Sequence, residues 1–377
     1  MIDGLLVADK GDEGMPKRKY AILSMQRVVN FGSVLQAYSL REILREITGA
    51  TATFLDIDDT TAIPSIKLVR ESVDYDDPAA YPPGLLQRGK RWMIARLSSW
   101  NKHLIRTFMC RELQIGKESD NNRFDCVIVG SDEVFNHRRG ISLQLHGEVQ
   151  QTDRVISYAA SCGSARLADI AHENVERVKE AMRRFSAVSV RDEATMQYVS
   201  ALYDGCVEHH LDPVLVGNLY NRKHRSVKIK KYLLVYAYGQ RIRTAEEIEA
   251  IKSFAKARNL KTVAMGGSQF WCDLYIPATP FRLLDYFYHA DYVMTDTFHG
   301  AVFSVINHKK FAVIVRKTNR GKITGLLNDL NLQDRQVADL TSLNQILAKD
   351  IDYDAVDKIL AQERIRTREY LKTQLEV

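Results

Sequence analysis

The sequence predicts an α/β protein of two facing Rossmann-like domains with a cleft between them. Three observations carry this. Short apolar runs recur along the chain, amphipathic stretches of helical period separate them, and small or polar residues cluster where the runs end. In open parallel sheets the carboxyl ends of strands are where helix N-termini offer unpaired N–H groups to a ligand.

The bulk properties narrow the class. A chain of 377 residues with 45% apolar content can bury a large core, and its length suggests two domains. The five cysteines (Cys110, Cys126, Cys162, Cys206, Cys272) are far apart and in no C-x-x-C pair. They read as reduced thiols of a cytoplasmic protein and argue against a disulfide framework or a zinc site. A net charge of +6 suits anionic ligands or a membrane surface, but is too small and dispersed to imply nucleic acid. No apolar run has the length of a membrane span, and the start is too charged for a secretory signal.

Residues 1–18 lack periodicity and are expected to be a flexible leader. Tyr20 to Met25 reads as the first strand, a helix follows from Val34, and Thr53 to Ile57 is the second strand. Asn30 and Gly32 lie at the first loop-to-helix junction, where Gly32 either lets a ligand approach the backbone or serves as an ordinary turn glycine. Residues 60–84 are loop-like. In Gln87 to Met109, Met93, Leu97, Trp100, Leu104 and Phe108 line one helical face, and every charged residue is basic. That composition suits a helix lying on an anionic membrane, or a core-packed helix with a solvated basic face. Cys126 to Val129 is a buried strand ending in Gly130-Ser131-Asp132, where Ser131 and Asp132 serve either a turn or a site. Val155 to Ala160 and Ala187 to Val190 are further strands, with a helix over Asn174 to Phe185 between them. Arg191 then stands where the sheet presents a guanidinium to an anion, or where it pairs with Asp192 or Glu193.

The first domain is expected over 19–221 and a basic linker over 222–231. A second domain covers 232–345, and 346–377 carries a last helix from Tyr353 to about Leu371. Tyr232 to Tyr238 and Thr262 to Met265 read as strands, Thr244 to Arg258 and Phe281 to Tyr288 as helices. The centre of this half is one strand–turn–helix–strand unit: Tyr292 to Thr295, then Ala301 to Ile306, then Phe311 to Val315. His299 sits in its turn, behind the capping types Asp296 and Thr297. There a histidine can face a ligand and change charge near pH 7, or simply fill the turn. No G-x-G-x-x-G, G-x-x-x-x-G-K-[ST] or G-x-S-x-G is present. His209 and His210 are adjacent and cannot easily face one metal, so no metal site is expected.

The order of these pieces resembles the polysaccharide pyruvyl transferase family. The resemblance rests on Asn30-x-Gly32-x-x-x-Gln36-Ala37-Tyr38, on Phe124-Asp125-x-x-Ile128-x-Gly130-Ser131-Asp132-x-x-x-Asn136, and on Ser157-Tyr158-Ala159-Ala160. It continues through Val188-Ser189-Val190-Arg191-Asp192-Glu193, Asp212-Pro213, and Ala290-Asp291 to Thr297-Phe298-His299-Gly300. Phe135 stands where relatives often have Trp. The set runs from about Tyr20 to about Arg335, and 60–115 matches nothing in it.

The resemblance implies a glycosyltransferase-B-like fold and transfer from phosphoenolpyruvate to a sugar of a polysaccharide or its precursor, forming a pyruvate ketal. The donor's carboxylate and phosphate would meet Arg191, His299 and the turn at Gly300, with Asn30, Gly32 and Ser131 completing the substrate site. His299 would protonate the donor or hold its leaving phosphate, and Asp132 or Asp296 would serve as base. No metal or other cofactor enters this scheme. The acceptor's setting, often a membrane lipid, suggests a peripheral contact of a cytoplasmic enzyme at the inner face of the membrane through 87–109. The competing readings are a nucleotide-sugar-dependent glycosyltransferase of the same fold and a non-catalytic basic binding module.

Overall fold

The computed structural model describes residues 18–58, 62–63, 85–115, 122–137, 140–239 and 241–377, with 85–88 as helix backbone only. The first half opens β1 (Tyr20–Leu23), α1 (Phe31–Thr48), β2 (Thr53–Phe54), β3 (Ala62–Ile63) and α2 (Leu85–Arg111). It continues β4 (Cys126–Asp132), β5 (Ile141–Ser142), β6 (Val155–Ala160), α3 (His172–Met182) and β7 (Phe185–Val190). Next come α4 (Glu193–Ser200), β8 (Val207–His209) and the short α5 (Pro213–Val216). The second half begins β9 (Tyr232–Ala237), α6 (Ala245–Ala257), β10 (Lys261–Gly266), β11 (Leu274–Tyr275) and α7 (Pro280–His289). It ends β12 (Tyr292–Thr295), α8 (Phe298–Ile306), β13 (Lys310–Ile314), α9 (Arg320–Asp329), β14 (Gln336–Val337), α10 (Leu343–Ala348) and α11 (Tyr353–Leu375).

Each half holds one six-stranded sheet, and every pairing within the two sheets is parallel. Parallel strands are covered on both faces, which is why runs such as Cys126–Asp132 are buried throughout and read as continuous rather than alternating. The first sheet is ordered β2-β1-β4-β6-β7-β8 and the second β11-β10-β9-β12-β13-β14. Chain direction across the sheet reverses between β1 and β4 in the first and between β9 and β12 in the second. Such reversals open a crevice beyond the carboxyl ends of the flanking strands. The ends of those four strands and the segments that follow them carry Asn30, Asp132, Tyr238 and His299.

One buried apolar cluster joins the halves, drawing on α1, α5, α7, α8 and α11 together with inward-facing strand residues such as Ile22, Leu234 and Val293. Two smaller clusters fill the outer faces of the sheets. The last helix, α11, returns to the first half. There Tyr370 Oη donates to the Ser157 carbonyl at 2.8 Å, and Arg368 grips Glu46 through two bonds of 2.9 and 2.8 Å. Helix ends follow their sequences: Asn30 and Thr297 cap α1 and α8 through their side chains, and Gly49 closes α1 in the left-handed conformation at φ 70°. α8 is buried nearly all round, which accounts for its unbroken apolar sequence.

Three expectations shift. β4 runs on through Ser131 and Asp132, so both belong to the strand and not to a turn after it. α8 starts at Phe298, which puts His299 and Gly300 in its first turn rather than in the turn before it. α2 buries Ile94, Asn101, Ile105, Phe108 and Met109, so Met93 and Trp100 of the expected apolar face are exposed. The helix is rotated because polar residues on its inner side have specific partners: Asn101 accepts from the Ala278 N–H at 2.9 Å, and Lys90 donates to the Cys272 carbonyl at 2.6 Å. The expected leader, apart from Arg18, and most of the expected loop over 60–84 lie outside the described residues.

Candidate active site

The two crevices face each other and enclose a cavity of about 600 Å³. Its lining comes from both halves. Asn30 and Ser33 follow β1, Asp132 and Glu133 end β4, and Arg191 follows β7. Tyr238 and Arg241 follow β9, Phe298 and His299 open α8, and Lys322 comes from α9.

The charged centre is a short relay across the halves. Arg191 Nη1 donates to Asp212 Oδ2 at 2.7 Å, its other amino group lies 3.9 Å from Asp132, and its guanidinium covers the Phe298 ring at 4.4 Å. The same Asp212 oxygen lies 3.5 Å from His299 Nε2. Asp132 also accepts from the Ser33 hydroxyl at 2.5 Å. Arg191 and Asp212 are buried and His299 nearly so, which removes the water that would weaken these interactions. Burial pushes the Asp212 carboxyl up, but His299 and Arg191 outweigh it and hold it at about 2. Burial lowers the basicity of Arg191, and the carboxylates of Asp212, Asp132 and Asp192 more than restore it.

Asp212 therefore carries a pH signature. Its folded value is depressed, so the stability it contributes is present above the unfolded value of about 4 and is lost as pH falls through about 2. A shift of this size corresponds to roughly 2 kcal/mol. Asp212→Asn is expected to start less stable, because Arg191 loses its closest counter-charge, and to lack this acid-dependent loss. Denaturant unfolding from pH 5 downward reads both. Parallel pH curves for the two proteins contradict the assignment.

His299 is fixed from its other side by Gly32. A Cβ on Gly32 would lie 2.2 Å from His299 Nδ1, so the glycine is what admits the imidazole. The sequence offered Gly32 as a place for a ligand to reach the backbone; that space is taken by the ring. Gly32 and His299 sit in the first turns of α1 and α8, so two helix N-termini converge here, each with a partial positive charge. Across the cavity, Lys322 pairs with Glu133, which also accepts from Asn136 at 2.8 Å. The Lys322–Glu133 pair ties α9 of the second half to the end of β4.

Of the residues singled out from sequence, His299, Asp132, Arg191 and Asn30 meet at the cavity. Three others are committed elsewhere. The Ser131 hydroxyl donates to the Ala159 carbonyl at 3.0 Å and is fully buried. The Gly300 N–H caps onto Thr297 at 2.9 Å, and a Cβ there would collide with Thr295, so this glycine packs the helix against its strand. Asp296 is buried behind the cavity wall with Arg316 Nε at 3.7 Å. Burial raises its carboxyl to about 6 despite Arg316 and Arg241, but it does not line the cavity. Arg191 also differs from expectation: its partner is Asp212, while Asp192 caps α4 by accepting from Thr195 at 2.9 Å. Sequence reasoning missed Glu133, Lys322 and Arg241 and gave Asp212 no role. The Asp212-Pro213 step was the one signal, since an acid ahead of a helix-opening proline marks a cap.

A second cavity of about 320 Å³ lies against the first. Asn30, Tyr238, Gly239 and His299 line both, and Ser98, Asn101, Lys102 and Ile105 of α2 line the smaller one. His299 thus stands where the two meet.

A family model described as polysaccharide pyruvyl transferase matches residues 30–318. The chain belongs to that family. The matched stretch contains every cavity residue named above except Lys322. A comparison with curated proteins gave no match. Among solved structures, Arabidopsis thaliana UGT89C1 complexed with UDP is 10% identical at a TM-score of 0.48, covering 96% of this chain and 100% of that one. Methanocaldococcus jannaschii UDP-GlcNAc 2-epimerase is 10% identical at 0.45, covering 93% and 99%. A glycosyltransferase from Rickettsia africae is 11% identical at 0.45, covering 96% and 97%. The two-sheet architecture rests on the chain's own strand orders.

Proposed function

We propose that the protein transfers the pyruvyl group of phosphoenolpyruvate to two hydroxyls of one sugar, forming a pyruvate ketal and releasing phosphate. The observation that carries this reading is the position of His299. It lies between Asp212, 3.5 Å from its Nε2, and Gly32 at two converging helix N-termini, on a cavity that also holds Arg191, Arg241 and Lys322. A donor with a carboxylate and a phosphate needs cationic side chains and helix N-termini of this kind, and about 600 Å³ leaves room for a sugar beside it.

The chemistry then follows by proton accounting. A proton added to the donor's methylene carbon makes it a methyl group and leaves the neighbouring carbon electron-poor. The first sugar hydroxyl attacks that carbon and gives up its proton. Phosphate leaves with the electrons of its carbon–oxygen bond, and the second hydroxyl closes the ketal as its proton passes to phosphate. His299 supplies the first proton, with the ionised Asp212 as counter-charge to its imidazolium. Asp132, which lines the cavity and is oriented by Ser33, receives the hydroxyl proton. The cations and helix termini hold the leaving phosphate.

Incubation with phosphoenolpyruvate and a panel of lipid-linked and nucleotide-linked sugars, read by mass and by phosphate release, tests this. The expected product is a sugar carrying one ketal, formed in step with phosphate. Release of a nucleoside diphosphate from a nucleotide-sugar, with phosphoenolpyruvate untouched, overturns it in favour of glycosyl transfer.

A further inference from the structure

We infer that the outward face of α2 docks the protein onto an anionic lipid surface. The buried side of this helix is accounted for by Ile94, Ile105 and Phe108, which pack into the apolar clusters, and by Asn101, which accepts from the Ala278 N–H. The opposite side is unusual for a solvated helix. Trp92, Arg96, Trp100 and His103 recur at spacings of four, four and three, so they share one face, and Arg106 continues it. Trp92 is 63% exposed, Trp100 52% and the neighbouring Met93 51%. Arg96 lies over the Trp92 ring at 4.9 Å, so a cation and an indole are presented together.

Two features decide the occupant. Residues 85–111 contain no Asp or Glu, so the face is positive without internal compensation and complements a negative surface. Its apolar members are mostly tryptophans, whose amphipathic rings settle at the headgroup level of a bilayer. No helix among the described residues is long and apolar enough to cross a membrane, so the contact is peripheral. The inner side of the same helix lines the smaller cavity beside His299, so the docking face and the site share one helix. The docking itself does not depend on the donor proposed above.

Co-sedimentation of the full chain with phosphatidylglycerol–phosphatidylcholine vesicles tests the inference, with pure phosphatidylcholine vesicles as reference. The expected result is binding to the anionic vesicles that weakens as salt is added. Arg96→Gln with Arg106→Gln is expected to lower the partition coefficient roughly tenfold or more. Trp92→Ser with Trp100→Ser is expected to abolish the blue shift of tryptophan emission on binding. These side chains are exposed, so the variants should melt as wild type does. A control removing two charges elsewhere, Lys223→Gln with Lys230→Gln, is expected to bind as wild type. No binding by wild type, equal binding to neutral vesicles, or equal losses in the control and the α2 variant each overturn the inference.

Discussion

His299→Ala is expected to lower kcat/KM for phosphoenolpyruvate-dependent transfer by about 10²–10⁴-fold while leaving the fold intact. The magnitude is that of a positioned acid–base group. Retention of the fold follows from the surroundings of the ring. It is 3.5 Å from Asp212 and is accommodated over a glycine, so its removal opens space between two helix N-termini without uncovering a core. Arg191 keeps Asp212 paired at 2.7 Å in the variant, so no buried carboxylate is left without a counter-charge. Initial rates of phosphate release over a range of donor concentrations, at saturating acceptor, measure the loss, and a thermal melt checks the fold. A variant that melts as wild type and turns over as wild type removes His299 from the mechanism, and with it the proposed route of the first proton.

That His299 could be chosen from sequence, while its partner could not, has a physical reason. The β-α alternation was legible because each parallel strand is an unbroken apolar run; β6 and β12 fall on the residues expected, Val155–Ala160 and Tyr292–Thr295. Strand ends were legible for the same reason, and so the candidates Asn30, Asp132, Arg191 and His299 all reach one cavity. Whether a polar group at a strand end faces a ligand or its own backbone is decided by neighbours far along the chain. Ser131 and Gly300 carry the same local signal as Asp132 and His299, yet the first is spent on Ala159 and the second on Thr297. Asp212 lies 87 positions before His299 and in the other half, so no spacing relates them. The Lys322–Glu133 pair is equally non-local. The rotation of α2 was hidden for a related reason: Asn101 and Lys90 look like surface residues until Ala278 and Cys272 supply their partners.

Gly32→Ala is expected to reduce turnover about 10²-fold or more without lowering the melting temperature. Alanine is the better helix residue by roughly 0.5–1 kcal/mol, and position 32 lies in the first turn of an 18-residue helix. The added methyl, however, falls 2.2 Å from Nδ1, 2.5 Å from Cγ and 2.8 Å from Cε1 of His299, so it overlaps the ring. The ring is the end of a side chain with two rotatable bonds, and it yields before the helix does. Its displacement moves Nε2 away from Asp212 and away from the donor, and a misplacement of about 1 Å suffices for a loss of this order. The double variant separates this from general damage. If the methyl acts only through the imidazole, Gly32→Ala should cost nothing further in a His299→Ala background, because residues acting as one unit are not additive. Steady-state kinetics of the two single variants and the double variant supply the cycle. Wild-type turnover in Gly32→Ala, or fully additive losses in the double variant, shows that the close approach of α1 to α8 does not position His299 for the proposed proton transfer.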